Sequence, residues 1–154
     1  MRRPILFLLF CCLLAAALPA QAASGRVIKV LPQFLDLQGR HSLSPSLYDR
    51  DAYQAFLRQH PEKISGVRFA IQWKMNSSAF GPPKLRVELR GTARGDLPSK
   101  IVLETPIQPG GWFSHWTSLP LVGNDYMEFG KVTAWRATLW EGDHLLSEQK
   151  SFLW

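Results

Sequence analysis

Cysteine is nearly missing from this chain. Its 154 residues include two, Cys11 and Cys12, and both lie in an apolar run near the start. The rest of the chain therefore has no disulfide, no thiol nucleophile and no thiolate ligand. Histidine is almost as sparse. His41, His60, His115 and His144 stand far apart, with no HxxxH pair to build a zinc site. There is no GxSxG elbow. Asp49 and Asp51 are two apart and diverge on a helix. Ser114 and His115 are neighbours, so on a strand they point to opposite faces. These gaps argue against an enzyme and imply no metal and no cofactor. Lys and Arg number 18 against 12 Asp and Glu, a formal net charge of +6, but they form no long basic run. Nucleic-acid binding shows itself as a cluster or stripe of such residues, so no nucleic-acid partner is expected. A mild attraction to acidic polymers or lipid head groups is all the excess charge implies.

Long apolar runs are limited to one. Residues 5–18 are apolar without interruption, a run of 14, which is short for a membrane span of about 20 residues. Arg2 and Arg3 precede it, Pro19 breaks it, and Ala20-Gln21-Ala22 supplies small residues around a cleavage point. That is the layout of a secretory signal peptide. Pro4 follows the arginine pair without the polar residues of a twin-arginine signal, and no cysteine stands at the cleavage point to take a lipid. Residues 1–22 are thus expected to be a signal peptide, cleaved near Ala22 or Ala23. Residues 23–154 are expected to be one domain, secreted or periplasmic, with no transmembrane helix left after cleavage. A domain of about 130 residues buries roughly two-thirds of its unfolded surface and can stand on its core alone.

The remainder reads as strands. Residues 26–37 are rich in Val, Ile and Leu, and Pro32 within them marks an edge strand or a switch between sheets. Val67, Phe69, Ile71, Trp73 and Met75 alternate with Arg68, Ala70, Gln72 and Lys74, one face buried and one wet. Leu85, Val87 and Leu89 alternate with Arg86, Glu88 and Arg90. Residues 101–104 and 112–122 are further strands, residues 126–130 are ambiguous, and residues 76–83 and 91–98 are loops by composition. Residues 132–141 and 145–154 flank Gly142-Asp143, which suits a tight hairpin with positive φ at the glycine. A two-residue turn pairs Trp140 with Leu145 and Thr138 with Ser147; a three-residue loop pairs Arg136 with Glu148. Both registers stay open.

One helix interrupts this pattern, over residues 47–59. Ser46 caps its start with Asp49 in the first turn, and His60-Pro61 ends it. Tyr48, Ala52, Ala55 and Phe56 form an apolar stripe, and Arg50, Gln54 and Arg58 fall on another face. The sum is an all-β antiparallel sandwich of about seven strands with one helical excursion between the first two.

Two short motifs carry a family likeness. Ile71-Gln72-Trp73-Lys74, the Gly81-Pro82-Pro83 loop and the alternating residues 85–89 resemble the second strand, proline-bearing loop and third strand of fibronectin type III and related Ig-like domains. Trp73 matches the core tryptophan of that family, and Trp135 stands where a tyrosine is common. The likeness covers residues 66–154. The usual tyrosine corner is missing from it, and the helix is extra. The chain is also similar to small secreted bacterial proteins of this kind. The resemblance implies the sandwich and leaves function to specific sites.

Two stretches are candidate binding sites. Trp112, Phe113, His115 and Trp116 crowd aromatic and imidazole side chains into five positions after Gly110-Gly111. As a strand, the stretch puts Trp112 and Trp116 on one face. Tryptophans in strands are usually buried, which would leave Phe113 and His115 outward. The second candidate is the helix face of Arg50, Gln54 and Arg58. Amphipathicity alone explains it as the solvated side of a packed lid, with Tyr48, Ala52 and Phe56 beneath. The expected function is a non-catalytic binding or interaction module with a protein or carbohydrate partner outside the cytoplasm. The alternatives are an accessory subunit of an envelope assembly, joined by strand addition, and a loop-presenting inhibitor of a partner enzyme.

Overall fold

The alternating run from Val67 to Met75 sets the frame of the fold. In the computed structural model, which describes residues 25–76 and 80–154, the side chains of Val67, Phe69, Ile71, Trp73 and Met75 are all buried in one core. They belong to β2 (Ile64–Met75). On one side β2 pairs antiparallel with β1 (Gly25–Asp36), and on the other with β5 (His115–Val122). The second sheet contains β3 (Pro83–Thr92), β4 (Pro98–Pro106), β6 (Lys131–Glu141) and β7 (His144–Lys150). Its order is β4-β3-β6-β7, against β1-β2-β5 in the first. Leu85, Val87 and Leu89 of β3 and Ala137 and Leu139 of β6 close the core from that side. The chain is an Ig-like antiparallel sandwich of seven strands, with one helix between the first two. Residues 1–22, read from the sequence as a signal peptide, lie outside the described residues.

Trp73 occupies the core position expected of it. Its indole N–H donates to Thr117 Oγ1 at 2.8 Å, so the polar end of the ring is satisfied while its body is buried. Trp135, on β6, is half-buried and tilts against Phe69 with ring centroids 6.4 Å apart.

Pro32 does mark an edge. Strand β1 pairs only with β2 and runs through the proline unbroken. It does not change sheets. Instead a bulge falls between Val27 and Lys29, and side chains of β7 reach across to the free backbone there. Val27 N–H donates to Ser147 Oγ at 3.1 Å, and Gln149 Nε2 donates to the carbonyls of Val27 and Ile28 at 3.3 and 2.9 Å. The two sheets are stitched together at this corner, and part of an exposed strand edge is covered.

The β6–β7 hairpin uses the two-residue turn, with Glu141 opposite His144 and φ of 55° at Gly142. A register shift then follows between Leu139 and Trp140. Beyond it Thr138 faces Glu148 and Arg136 faces Lys150, so neither register expected from the sequence holds throughout. Arg136 finds its carboxylate elsewhere, on Glu88 of β3, at 2.9 and 3.0 Å. The ambiguous stretch before β6 is a helix, α2 (Gly123–Phe129), which plugs the core with Phe129 and stops at Gly130, where φ is 79°. Strand β7 ends at Lys150. The chain then turns so that the Trp154 ring lies 4.0 Å from the Arg90 guanidinium and 5.1 Å from that of Arg136.

The expected helix forms as α1 (Leu47–Gln59), with Ser46 as its cap. Its orientation is not the expected one. Tyr48 is 82% exposed and Phe56 37%, Ala52 and Ala55 are also exposed, and the buried residues are Gln54 and Leu57. The stripe of Tyr48, Ala52 and Phe56 faces solvent. The helix is set down by hydrogen bonds to β1, and those bonds run through Gln54 and Tyr53.

Candidate functional site

Gln54, Arg50 and Arg58 line an open cleft of about 520 Å³ between α1 and residues 31–34 of β1. Gln54 does not present its amide to this cleft as a free group. Its Oε1 accepts from Phe34 N–H at 2.8 Å, and its Nε2 donates to the carbonyls of Phe34 at 2.9 Å and His41 at 2.8 Å. A primary amide has the donor and acceptor of a peptide unit, so it can stand in for a neighbouring strand at one residue. Arg50 reaches Asp51 Oδ1 through Nε and Nη2, at 3.0 and 2.9 Å, and Arg58 Nε donates to the Gln54 carbonyl at 3.2 Å. Of the three candidates on this face, Gln54 is structural, and the two arginines flank it.

Beside Gln54, Tyr53 makes the second anchor of α1. Its hydroxyl donates to Asp36 Oδ2 at 2.8 Å. Asp36, at the end of β1, also accepts from Gln38 N–H at 2.9 Å, Arg40 N–H at 2.8 Å and Arg40 Nε at 2.8 Å. Burial pushes the Asp36 carboxyl up, but these donors outweigh it and hold the pKa at about 2. Burial and the bond to Asp36 push the Tyr53 hydroxyl up. His41 is pushed down by burial first and by the charges of Arg68 and Arg50 second. Neither Asp36 nor Tyr53 stands out in the sequence, because a lone Asp near the end of a strand reads as an ordinary boundary residue.

The aromatic segment is arranged differently from its expected strand. Strand β5 begins only at His115, and residues 112–114 are loop. In the ladder His115 lies opposite Trp73 and Trp116 opposite Gln72. Inward positions therefore go to Thr117, Leu119 and Leu121, and Trp116 falls on the outer face. The expectation that Trp112 and Trp116 are packed in the core is thus overturned. Trp112 is 85% exposed, Phe113 78% and Trp116 52%. His115 sits at the rim of the core, its ring 5.4 Å from that of Trp73 and its Nε2 3.3 Å from the Gly110 carbonyl.

Polar and cationic groups surround these rings. Gln72 Nε2 donates to Ser114 Oγ at 3.0 Å. The Lys74 ammonium lies 5.7 Å from the centre of the Trp112 ring. Lys29 is opposite Gln72, and Arg26 opposite Lys74, on the same outer face. The wet face of β2 was legible from alternation. The cross-strand neighbours that turn Gln72 and Lys74 into parts of one surface were not.

Neither a protein-family model nor a curated protein matches the chain. Among solved structures it is similar to an immunoglobulin-like protein from Pseudomonas aeruginosa, at 15% identity and a TM-score of 0.38. The match covers 85% of this chain and 96% of that one.

Proposed function

We propose that this chain is a non-catalytic binding module that works outside the cytoplasm and engages its partner through Trp112, Phe113 and Trp116. The observation that carries the reading is the exposure of two indoles and a phenyl ring on one loop and the strand start that follows it. Rings of this size normally gain a few kcal/mol from burial, so three of them left in water on one loop and the strand start after it are a binding signal. The export pattern of residues 1–22 supports the location. Strand addition at β1, the alternative in which the chain is an accessory subunit, is disfavoured. Gln54 blocks that edge at Phe34, and Ser147 and Gln149 block it at Val27 and Ile28.

The test is capture from an extracytoplasmic extract by immobilised protein, comparing wild type with the double variant Trp112→Ala, Trp116→Ala. The variant should fold normally and lose the captured component. An identical captured set from both proteins would move the binding surface elsewhere.

A further inference from the structure

We infer that the Trp112–Trp116 surface takes an anionic polysaccharide, its sugar rings lying on the two indoles and its acidic groups on Arg26, Lys29 and Lys74. The inference rests on the proposed binding role of this surface and names the class of its ligand. Charge is the first argument. Strands β2 and β5 contain no Asp or Glu, and the single one in β1, Asp36, is buried in the turn at its end. The strands of the β1-β2-β5 sheet therefore give its outer face cations and no carboxylate. The opposite face of the sandwich is built otherwise, with Arg86 paired to Glu104 at 3.2 Å and Arg136 to Glu88 at 2.9 Å. On that side carboxylates interleave with the cations, whereas the strands of the other put cations alone around its exposed rings.

Chemistry is the second argument. The C–H face of a pyranose is apolar and slightly positive, and it packs on the negative face of an indole. Its rim of hydroxyls needs donors and acceptors at the same level. Ser114 lies between the two tryptophans in the chain, and Gln72 lies opposite Trp116 across the ladder. Their hydrogen bond places a hydroxyl and an amide beside the rings. A bilayer would suit this surface poorly. Inserting the rings would strip water from Gln72, Ser114 and Lys74 without replacing its hydrogen bonds, whereas a hydrated glycan replaces them.

The experiment is affinity electrophoresis of the protein in gels containing polygalacturonate, with uncharged dextran as the control and flotation with mixed phosphatidylcholine and phosphatidylglycerol vesicles alongside. Polygalacturonate should retard the protein and dextran should not. Trp112→Ala with Trp116→Ala should weaken retardation by about tenfold or more, the size of effect expected for roughly 1.4 kcal/mol of lost stacking. Lys29→Gln with Lys74→Gln should weaken it and flatten its salt dependence. Three results would overturn the inference: no retardation, retardation unchanged in the tryptophan variant (simple ion exchange), or binding to vesicles alone. If extract capture still depends on Trp112 and Trp116 in any of those cases, the binding surface stands and only its ligand class fails.

Discussion

Gln54 holds Phe34 as a neighbouring strand would, accepting from its N–H at 2.8 Å and donating to its carbonyl at 2.9 Å. This amide pairing joins α1 to the free edge of β1. Truncating it leaves a part-buried N–H and two part-buried carbonyls without this partner. Gln54→Ala should cost about 2–4 kcal/mol, since each unsatisfied buried group costs about 1–3 and water recovers part of that. The denaturant midpoint measures the loss. Faster hydrogen exchange at the Phe34 amide would locate it. A midpoint equal to wild type would mean that α1 is held by something else.

The two faces of α1 should respond in opposite ways. Leu57 is fully buried, so Leu57→Ala should destabilise by about 2–5 kcal/mol through the cavity it leaves. Tyr48→Ala, at a position 82% exposed, should fall within about 0.5 kcal/mol of wild type. The expectation based on helical periodicity alone is the reverse for Tyr48, so urea titrations of both variants discriminate between the two orientations.

Asp36 should make the fold acid-sensitive in a defined range. Its pKa falls from an ordinary 3.8 to about 2, so its contribution is fully present above about pH 4 and is lost as the pH falls through 2. Tyr53→Phe removes one donor and should raise the Asp36 pKa, moving the acid loss to higher pH. Asp36→Asn should remove that segment of the pH dependence altogether. Unfolding midpoints measured from pH 5 downward provide the check, and parallel curves for wild type and Asp36→Asn would contradict the assignment.

Trp73 should differ from Trp112 and Trp116 in two separable signatures. Trp73→Ala should cost about 3–5 kcal/mol, as core aromatic truncations do, and it also leaves Thr117 Oγ1 without the indole donor. Trp112→Ala and Trp116→Ala should change stability by less than about 0.5 kcal/mol. They should also remove most of the fluorescence that acrylamide quenches readily. Strong destabilisation by either one would place that ring in the core after all.

Local chemistry alone determined much of this protein. The alternation of Val67, Phe69, Ile71, Trp73 and Met75 can be satisfied only by a strand with one buried face. Ser46 and Pro61 bound the helix at the residues where it begins and ends, because capping and the pre-proline clash act within one turn. Gly142 likewise turns the last hairpin. Tertiary structure decided the rest. Which face of α1 is down depends on Phe34 and His41, partners 20 and 13 residues away from Gln54, and the apolar stripe of Tyr48, Ala52 and Phe56 was too weak to compete with them. The direction of Trp112 and Trp116 was equally open, since large side chains occupy both parities of residues 112–117. A strand slipped by one residue turns every side chain to the other face. The pairing of His115 with Trp73 chose the parity that leaves Trp116 in water, and that choice created the surface on which the proposed function rests.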